Sequence, residues 1–278
     1  MLSALNPRYN AAAFRELILL LTKYRHLTFE LARREIADRY AGQVFGMFWS
    51  IGHPLIMIAV YIFIFGYVFR VKVGGTVDMP LDYTTYLLSG LIPWLAFQDS
   101  MVKASTVIVS NTNLVKQVVF PIEVLPVKVV LGAFVTQIIL LVLLILYILL
   151  VQHTLSWTFF LLPLLIIIQA IAMAGVSFIL SAIGVYFRDI KDFIQVFSMI
   201  GIYLVPAFYL PDFVPKAFRG LLYINPFSYL IWCYQDILYF GRFEHPYAWL
   251  VLTILSFGSF IIGYRLFRKL RTMFGNVL

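Results

Sequence analysis

The chain contains no Gly-Lys pair, and a nucleotide-binding P-loop needs a Gly-Lys-Ser/Thr tail to cradle phosphates. Any ATP-driven work therefore falls to a second polypeptide, and the polar segments of this chain become docking surfaces rather than catalytic ones. Charge is scarce too: 12% of the 278 residues are Asp, Glu, Lys or Arg, against 62% hydrophobic. The single cysteine, Cys233, excludes an intrachain disulfide and leaves the redox compartment unread. The N-terminus lacks the short apolar core followed by small residues that a cleavable signal requires, so the first long apolar run is expected to direct insertion. HExxH is absent, and His26, His53, His153 and His245 are scattered without a carboxylate-rich cluster, so no metal site is expected.

What is abundant is apolar sequence. A mean hydropathy of +0.93 lies outside the range of soluble domains and inside that of polytopic membrane proteins. A span of the hydrocarbon core takes roughly 20 apolar residues with all backbone groups bonded internally, so long uncharged runs are read as helices. Six such stretches are predicted, over 46–69, 84–109, 127–151, 157–187, 193–211 and 247–264; the second carries Asp99 and Lys103. The expected fold class is an all-α polytopic membrane protein, residues 1–278 forming a single transmembrane domain.

Orientation follows from the Lys and Arg residues of the connecting segments, since basic loops stay cytoplasmic. Of the 21 Lys and Arg residues, all but Arg70, Lys72, Lys216, Arg219 and Arg242 fall on the side that also holds both termini. That side is predicted to be cytoplasmic. The net charge of +8 then reads as a positive-inside signature with attraction to anionic membrane lipids, and nucleic acid is not an expected partner.

Before the first span, Phe14, Leu17, Ile18, Leu21, Tyr24, Leu27, Thr28 and Leu31 recur at helical spacing while Arg15, Lys23, Arg25, Glu30, Arg33, Arg34 and Glu35 fill the other faces. This predicts an amphipathic helix within 11–41, too charged to cross and suited to lying along the bilayer. It is read either as a passive anchor or as a lever touching a cytoplasmic partner. The cluster of Arg33, Arg34 and Arg39 offers forked donors for acidic side chains.

Four blocks carry a resemblance. REIADRYAGQVFGMFWSIGHPL (34–55) has Arg39, Tyr40, Gly46, Trp49 and Pro54; NLVKQVVFPIEVLP (113–126) has Phe120, Pro121, Glu123, Leu125 and Pro126. YFRDIKDF (186–193) has an Arg-Asp turn, and INPFSYL (224–230) has an Asn-Pro. In this order and at these topological positions they resemble the ABC type-2 permeases that export lipid-linked polysaccharides. The resemblance implies a homodimer with the conduit at its interface, bound to two copies of an ABC nucleotide-binding subunit that carries ATP and Mg; no cofactor is expected on this chain. The implied cargo is a polyprenyl-linked glycan of O-antigen, capsule or teichoic-acid type, and the implied location is the bacterial inner membrane.

The resemblance also implies a coupling helix in the cytoplasmic loop 110–126, with Lys116, Gln117 and Glu123 as contacts to the nucleotide-binding subunit. From the residues alone, Pro121 and Pro126 favour a short, rigidly oriented helix or turn, or the start of the third span. The break at Arg188, Asp189, Lys191 and Asp192 is read equally as a solvated turn or as a second partner contact.

Residues 211–246 are long and apolar for a connection. Two helical pieces are predicted, 216–223 and 227–240, the second starting after Asn225-Pro226. The resemblance describes such pieces as re-entrant helices around the outer exit. Tyr223, Phe227, Tyr229, Trp232, Tyr234 and Tyr239 would offer rings to sugars or form an interfacial aromatic belt. Where the resemblance leads us to expect an Arg at the end of this segment, the chain has Gln235 and Asp236. In the first span Trp49, His53, Ile56, Val60, Phe63 and Tyr67 follow a spacing of three and four, so one face either lines a conduit or packs on neighbours; Phe197, Tyr203 and Phe208 recur in the fifth. The expected substrate path is thus Trp49, His53, Phe63, Tyr67, Tyr203, Phe208, Tyr223, Tyr229 and Trp232. Rival readings are an exporter of a small molecule or lipid, an ion-coupled secondary transporter relying on Asp99, and an integral transferase using Asp212, Asp236, Glu244 or His245.

Overall fold

The computed structural model describes residues 19, 22–39, 41–68, 80–116 and 120–277, and among these every regular element is helical. Helix α1 is Arg25–Arg39. A 3-10 turn at Gly46–Phe48 leads into α2 (Trp49–Tyr61), which widens into a π-helical stretch, Ile62–Val68. Helix α3 (Tyr83–Ala104) is followed by two single turns, α4 (Val107–Ser110) and α5 (Thr112–Val115). Helix α6 (Val124–Tyr147) runs on through Ile148–Gln152, and α7 (Leu162–Tyr186) follows a 3-10 turn at Trp157–Leu161. Then come α8 (Ile190–Leu204), α9 (Lys216–Ile224), α10 (Pro226–Gln235) with its π-helical extension Asp236–Phe240, α11 (Pro246–Arg271) and α12 (Phe274–Val277).

Among the described residues, three helices are long and apolar enough to cross a membrane: Val124–Gln152, Trp157–Tyr186 and Pro246–Arg271. They coincide with the third, fourth and sixth predicted spans. Only 33–39% of their most apolar stretches is buried within the chain, which leaves broad faces for lipid. The second predicted span ends earlier than expected, at Ala104, and is more polar than the other three. Yet α3 is the most enclosed helix, with every residue from Thr84 to Trp94 buried. A helix sheathed by protein needs no lipid-compatible surface, so Thr, Ser and the Asp99–Lys103 pair (2.9 Å) are tolerated along it. Helix α8 stops at Leu204 because Val205 turns extended ahead of Pro206; its 15 residues fall short of the roughly 20 that cross the core.

Helix α3 begins at Asp82, whose carboxylate accepts from the Thr85 amide at 3.2 Å and from the Tyr147 hydroxyl at 2.7 Å, joining its start to the end of α6. Around α3 pack α6, α7, α8 and α10, with Leu87, Leu91, Leu141, Met173 and Trp232 in the main core. The most extensive helix pairing is α7 with α11. A Cβ on Gly175 would run into the backbone of Ser259 and Phe260, and one on Gly263 into the Gly175 carbonyl, so absent side chains permit backbone contact.

A second core lies where α6 begins and α7 and α11 end: Val107, Ile108, Val115, Leu125, Val185, Phe267 and Phe274 are buried together, with Phe120 and Ile122 against them. Helix α1 lies on α6 through buried Thr28 and Ala32 and through an ion pair between Glu35 and Lys128 at 3.2 Å. Of the apolar face expected of it, Thr28 is buried and Tyr24, Leu27 and Leu31 are half-buried, while Phe29, off that face, is exposed. Phe14, Leu17, Ile18 and Leu21 lie outside the described residues.

Candidate substrate path and coupling surface

On the segment between α8 and α11, Asn225 caps α10 by accepting from the Phe227 amide at 3.1 Å, and its own amide donates to the Leu204 carbonyl at 3.1 Å. The two helices begin within a residue of their predicted starts. The hairpin they form gathers three of the expected path residues: Tyr223 and Tyr229 lie 5.4 and 5.5 Å from Trp232, centroid to centroid. Tyr247 of α11 completes the group, 6.5, 6.4 and 6.0 Å from the Tyr223, Tyr229 and Trp232 rings. Tyr223 and Tyr247 are exposed while Trp232 is buried behind them, so the outward rings rest on a rigid indole.

That support has its own polar anchor. Asp236 is buried and accepts three bonds, from the His245 amide at 3.2 Å, from His245 Nδ1 at 3.0 Å and from Trp249 Nε1 at 3.1 Å. The His245 ring in turn lies flat on Trp232, 5.2 Å away and tilted by 8°. Gln235, the other residue standing in place of the expected Arg, donates to the Pro206 carbonyl at 2.9 Å. Both side chains are thus committed inward. Tyr234 and Tyr239 are buried as well.

The remaining path residues lie on α2 with its π-helical extension, on α8, and just after it. On α2, Trp49 meets His53 edge-on at 6.1 Å, and His53 and Phe63 are exposed on a helix whose Ile51, Leu55, Ile56 and Val60 are also uncovered. The Tyr67 side chain lies outside the described residues. His53, Met57, Asp99, Thr136 and Gln137 line a cleft of about 260 Å³ between α2, α3 and α6. On α8, Tyr203 is exposed beside Phe193, Val196, Met199 and Ile200, and its ring stacks with Phe208 at 6.0 Å.

Below the cleft floor, Gln137 Nε2 donates to Gln169 Oε1 and to the Tyr234 hydroxyl, both at 2.8 Å, and Gln169 Nε2 returns a bond to Gln137 Oε1 at 3.0 Å. The Tyr234 hydroxyl donates to Gln169 Oε1 at 2.5 Å. All three are buried, so the network knits α6, α7 and α10 in an otherwise apolar interior. Two amides isolated in long hydrophobic runs were the readable signal for it.

At the end holding the second core, Arg33 and Arg34 are exposed on α1, Lys116 is exposed after α5, and Arg188 and Asp189 are exposed at the turn into α8. Gln117 lies outside the described residues. Glu123 behaves differently: its side chain is 2% exposed and forms an ion pair with Arg271 at the end of α11. Among the described residues, no group of three or more His, Cys, Asp or Glu is placed to hold a metal ion.

This arrangement, a central sheathed helix with basic, exposed turns at one end and an aromatic hairpin in the connection before the last helix, coincides with a sequence match. Residues 26–239 match the family described as ABC-2 type transporter. The chain belongs to the ABC-2 type transporter family. Among curated relatives, an O-antigen export system permease protein RfbA of Klebsiella pneumoniae is 28% identical over 277 residues, covering 99% of this chain and 100% of the relative. A second protein of that name from Klebsiella pneumoniae is 28% identical over 280 residues, with the same coverage. One from Myxococcus xanthus is 27% identical over 238 residues, covering 85% of this chain and 89% of the relative. As an ABC-2 transporter subunit the chain is a multi-pass, non-catalytic membrane component, and an ABC ATPase partner hydrolyses the ATP.

Proposed function

We propose that this chain is the permease of an ATP-driven exporter that moves a polyprenyl-linked polysaccharide out of the cytoplasm, across the bacterial inner membrane. The observation that carries the reading is the end-to-end similarity to O-antigen export permeases. The aromatic hairpin supports it: exposed rings on a rigid indole suit the apolar faces of sugars without ion-like tightness. An ion-coupled carrier finds little support, because the carboxylate expected to serve it, Asp99, is paired with Lys103.

In this reading the chain crosses the membrane six times with both termini cytoplasmic, the short α8 completing its crossing through the largely buried turn 205–210 that follows it; α9 and α10 form the re-entrant outer segment, and α1 lies along the inner interface. Two copies of the chain assemble with two copies of the ATPase, which binds ATP and Mg. The uncovered faces of α2 and α8 then line a conduit between protomers. Arg33, Arg34, Lys116, Gln117, Arg188 and Asp189 face the ATPase.

The test is to purify the tagged chain from its native membrane in mild detergent and to identify and weigh what accompanies it. A P-loop ATPase in equal copy number, two of each, with bound lipid-linked glycan, is expected. Repeated isolation with an ATPase but with a small molecule or phospholipid in place of glycan would replace the cargo assignment.

A further inference from the structure

Glu123 stands in the loop that the ABC reading turns toward the ATPase, yet its side chain is directed into the protein. It is 2% exposed, one carboxylate oxygen meets the Arg271 guanidinium, and the other has no hydrogen-bond partner among the described residues. Arg271, 40% exposed, closes the open side. The pair sits against the second core, where residues of this loop (Val107, Ile108, Val115, Phe120, Ile122) and Leu125 at the start of α6 pack with Val185 at the end of α7, Phe267 and Leu270 at the end of α11, and Phe274 of α12. The Tyr186 hydroxyl reaches the Leu270 carbonyl at 3.4 Å, and Phe178 contacts Phe260, Tyr264 and Phe267. Apolar contacts of this kind are non-directional and let surfaces slide. A buried charge pair instead fixes one register, and is weak as a source of stability.

We propose that Arg271, acting through Glu123, is a positioning residue that fixes the loop between α3 and α6 to the end of α11. Movement imposed on the loop by the ATPase is passed through this pair to α11, and through the backbone contact of Gly263 with Gly175 to α7. The inference rests on the ABC exporter reading, and it gives Glu123 an inward task in place of direct contact with the ATPase.

The experiment uses the full chain in complex with its ATPase. Spin labels on exposed Asn113 and Thr272, introduced as Asn113→Cys and Thr272→Cys with buried Cys233→Ser, report the separation of the loop from the end of α11. Excess unlabelled chain ensures that one labelled protomer is read. In the native pairing the separation is expected to be the same without nucleotide and with the ATPase trapped closed by vanadate. In Arg271→Gln it is expected to shift between those states, and export per ATP to fall about tenfold, the loss corresponding to one charge-assisted hydrogen bond. Glu123→Arg with Arg271→Glu is expected to restore both. A purely structural role would lower recovery of the complex without making the separation depend on nucleotide. A separation that changes with nucleotide in the native pairing, or stays fixed in Arg271→Gln, overturns the proposal. Should Arg271→Gln not assemble, the native pairing alone decides. Failure of the native complex to export glycan counts against the cargo assignment and leaves the spin-label result standing.

Discussion

Gly175 and Gly263 place the backbones of α7 and α11 in direct contact, with Phe260 packed one turn earlier against Gly175. Neither position has room for a methyl group, since the obstacle is main chain that cannot rotate away. Gly263→Leu is expected to force the two helices apart and destabilise the chain by at least 1–3 kcal/mol, roughly the cost of overpacking. Thermal unfolding in detergent, compared with Gly258→Leu where the space is open, checks this.

Gln137, Gln169 and Tyr234 form a closed buried network, so removing one member strands the others. Gln137→Leu is expected to cost about 1–3 kcal/mol, the penalty of unsatisfied buried polar groups. Gln137→Leu combined with Gln169→Leu is expected to cost less than the sum of the single changes, because the second removes a group the first has already orphaned. Additive losses would mean that the amides do not depend on each other.

The network illustrates what the sequence made legible. The three long apolar helices are expressed in their runs of Val, Leu and Ile: Val124–Gln152 and Trp157–Tyr186 lie within three residues of their predicted bounds, while Pro246–Arg271 runs seven residues past its predicted end at 264, through a basic last turn that carries it out of the apolar run, and the starts of α9 and α10, marked by Pro215 and Asn225-Pro226, fall within a residue. Helix α3 was harder to bound because its environment is protein, and a polar residue there carries no lipid penalty to betray it. Glu123 and Asp236 show the same limit: one reads as a loop contact for the partner and the other as standing where an Arg is expected in the piece 227–240, and only tertiary partners, Arg271 for one and His245 with Trp249 for the other, turn them inward.

Lys128 holds α1 to α6 through Glu35 and also donates to the Asn111 side chain at 3.4 Å. Lys128→Ala is expected to loosen α1 without unfolding the bundle. Amide exchange across 25–39 should rise about tenfold, equivalent to about 1.4 kcal/mol of local opening, while α7 and α11 keep their protection. Uniform loss of protection would contradict a local role.

Asp236 satisfies the His245 amide, the His245 ring and the Trp249 indole together. Asp236→Ala leaves those donors without their acceptor and is expected to release the support beneath Trp232 at a cost of about 1–3 kcal/mol. Limited proteolysis should then cut within 226–245 while assembly with the ATPase persists. Asp236→Asn, which keeps one acceptor oxygen, is expected to fall between the two; equal resistance of all three proteins would remove Asp236 from this role.

The most direct measurement is to delete the gene for this chain in its native cell and to follow polyprenyl-linked glycan and surface polysaccharide together. The account predicts that lipid-linked glycan accumulates on the cytoplasmic side while the surface polymer disappears, and that re-expression of the chain reverses both. Surface polysaccharide at its normal level in the deleted strain, with no accumulated glycan, would contradict it.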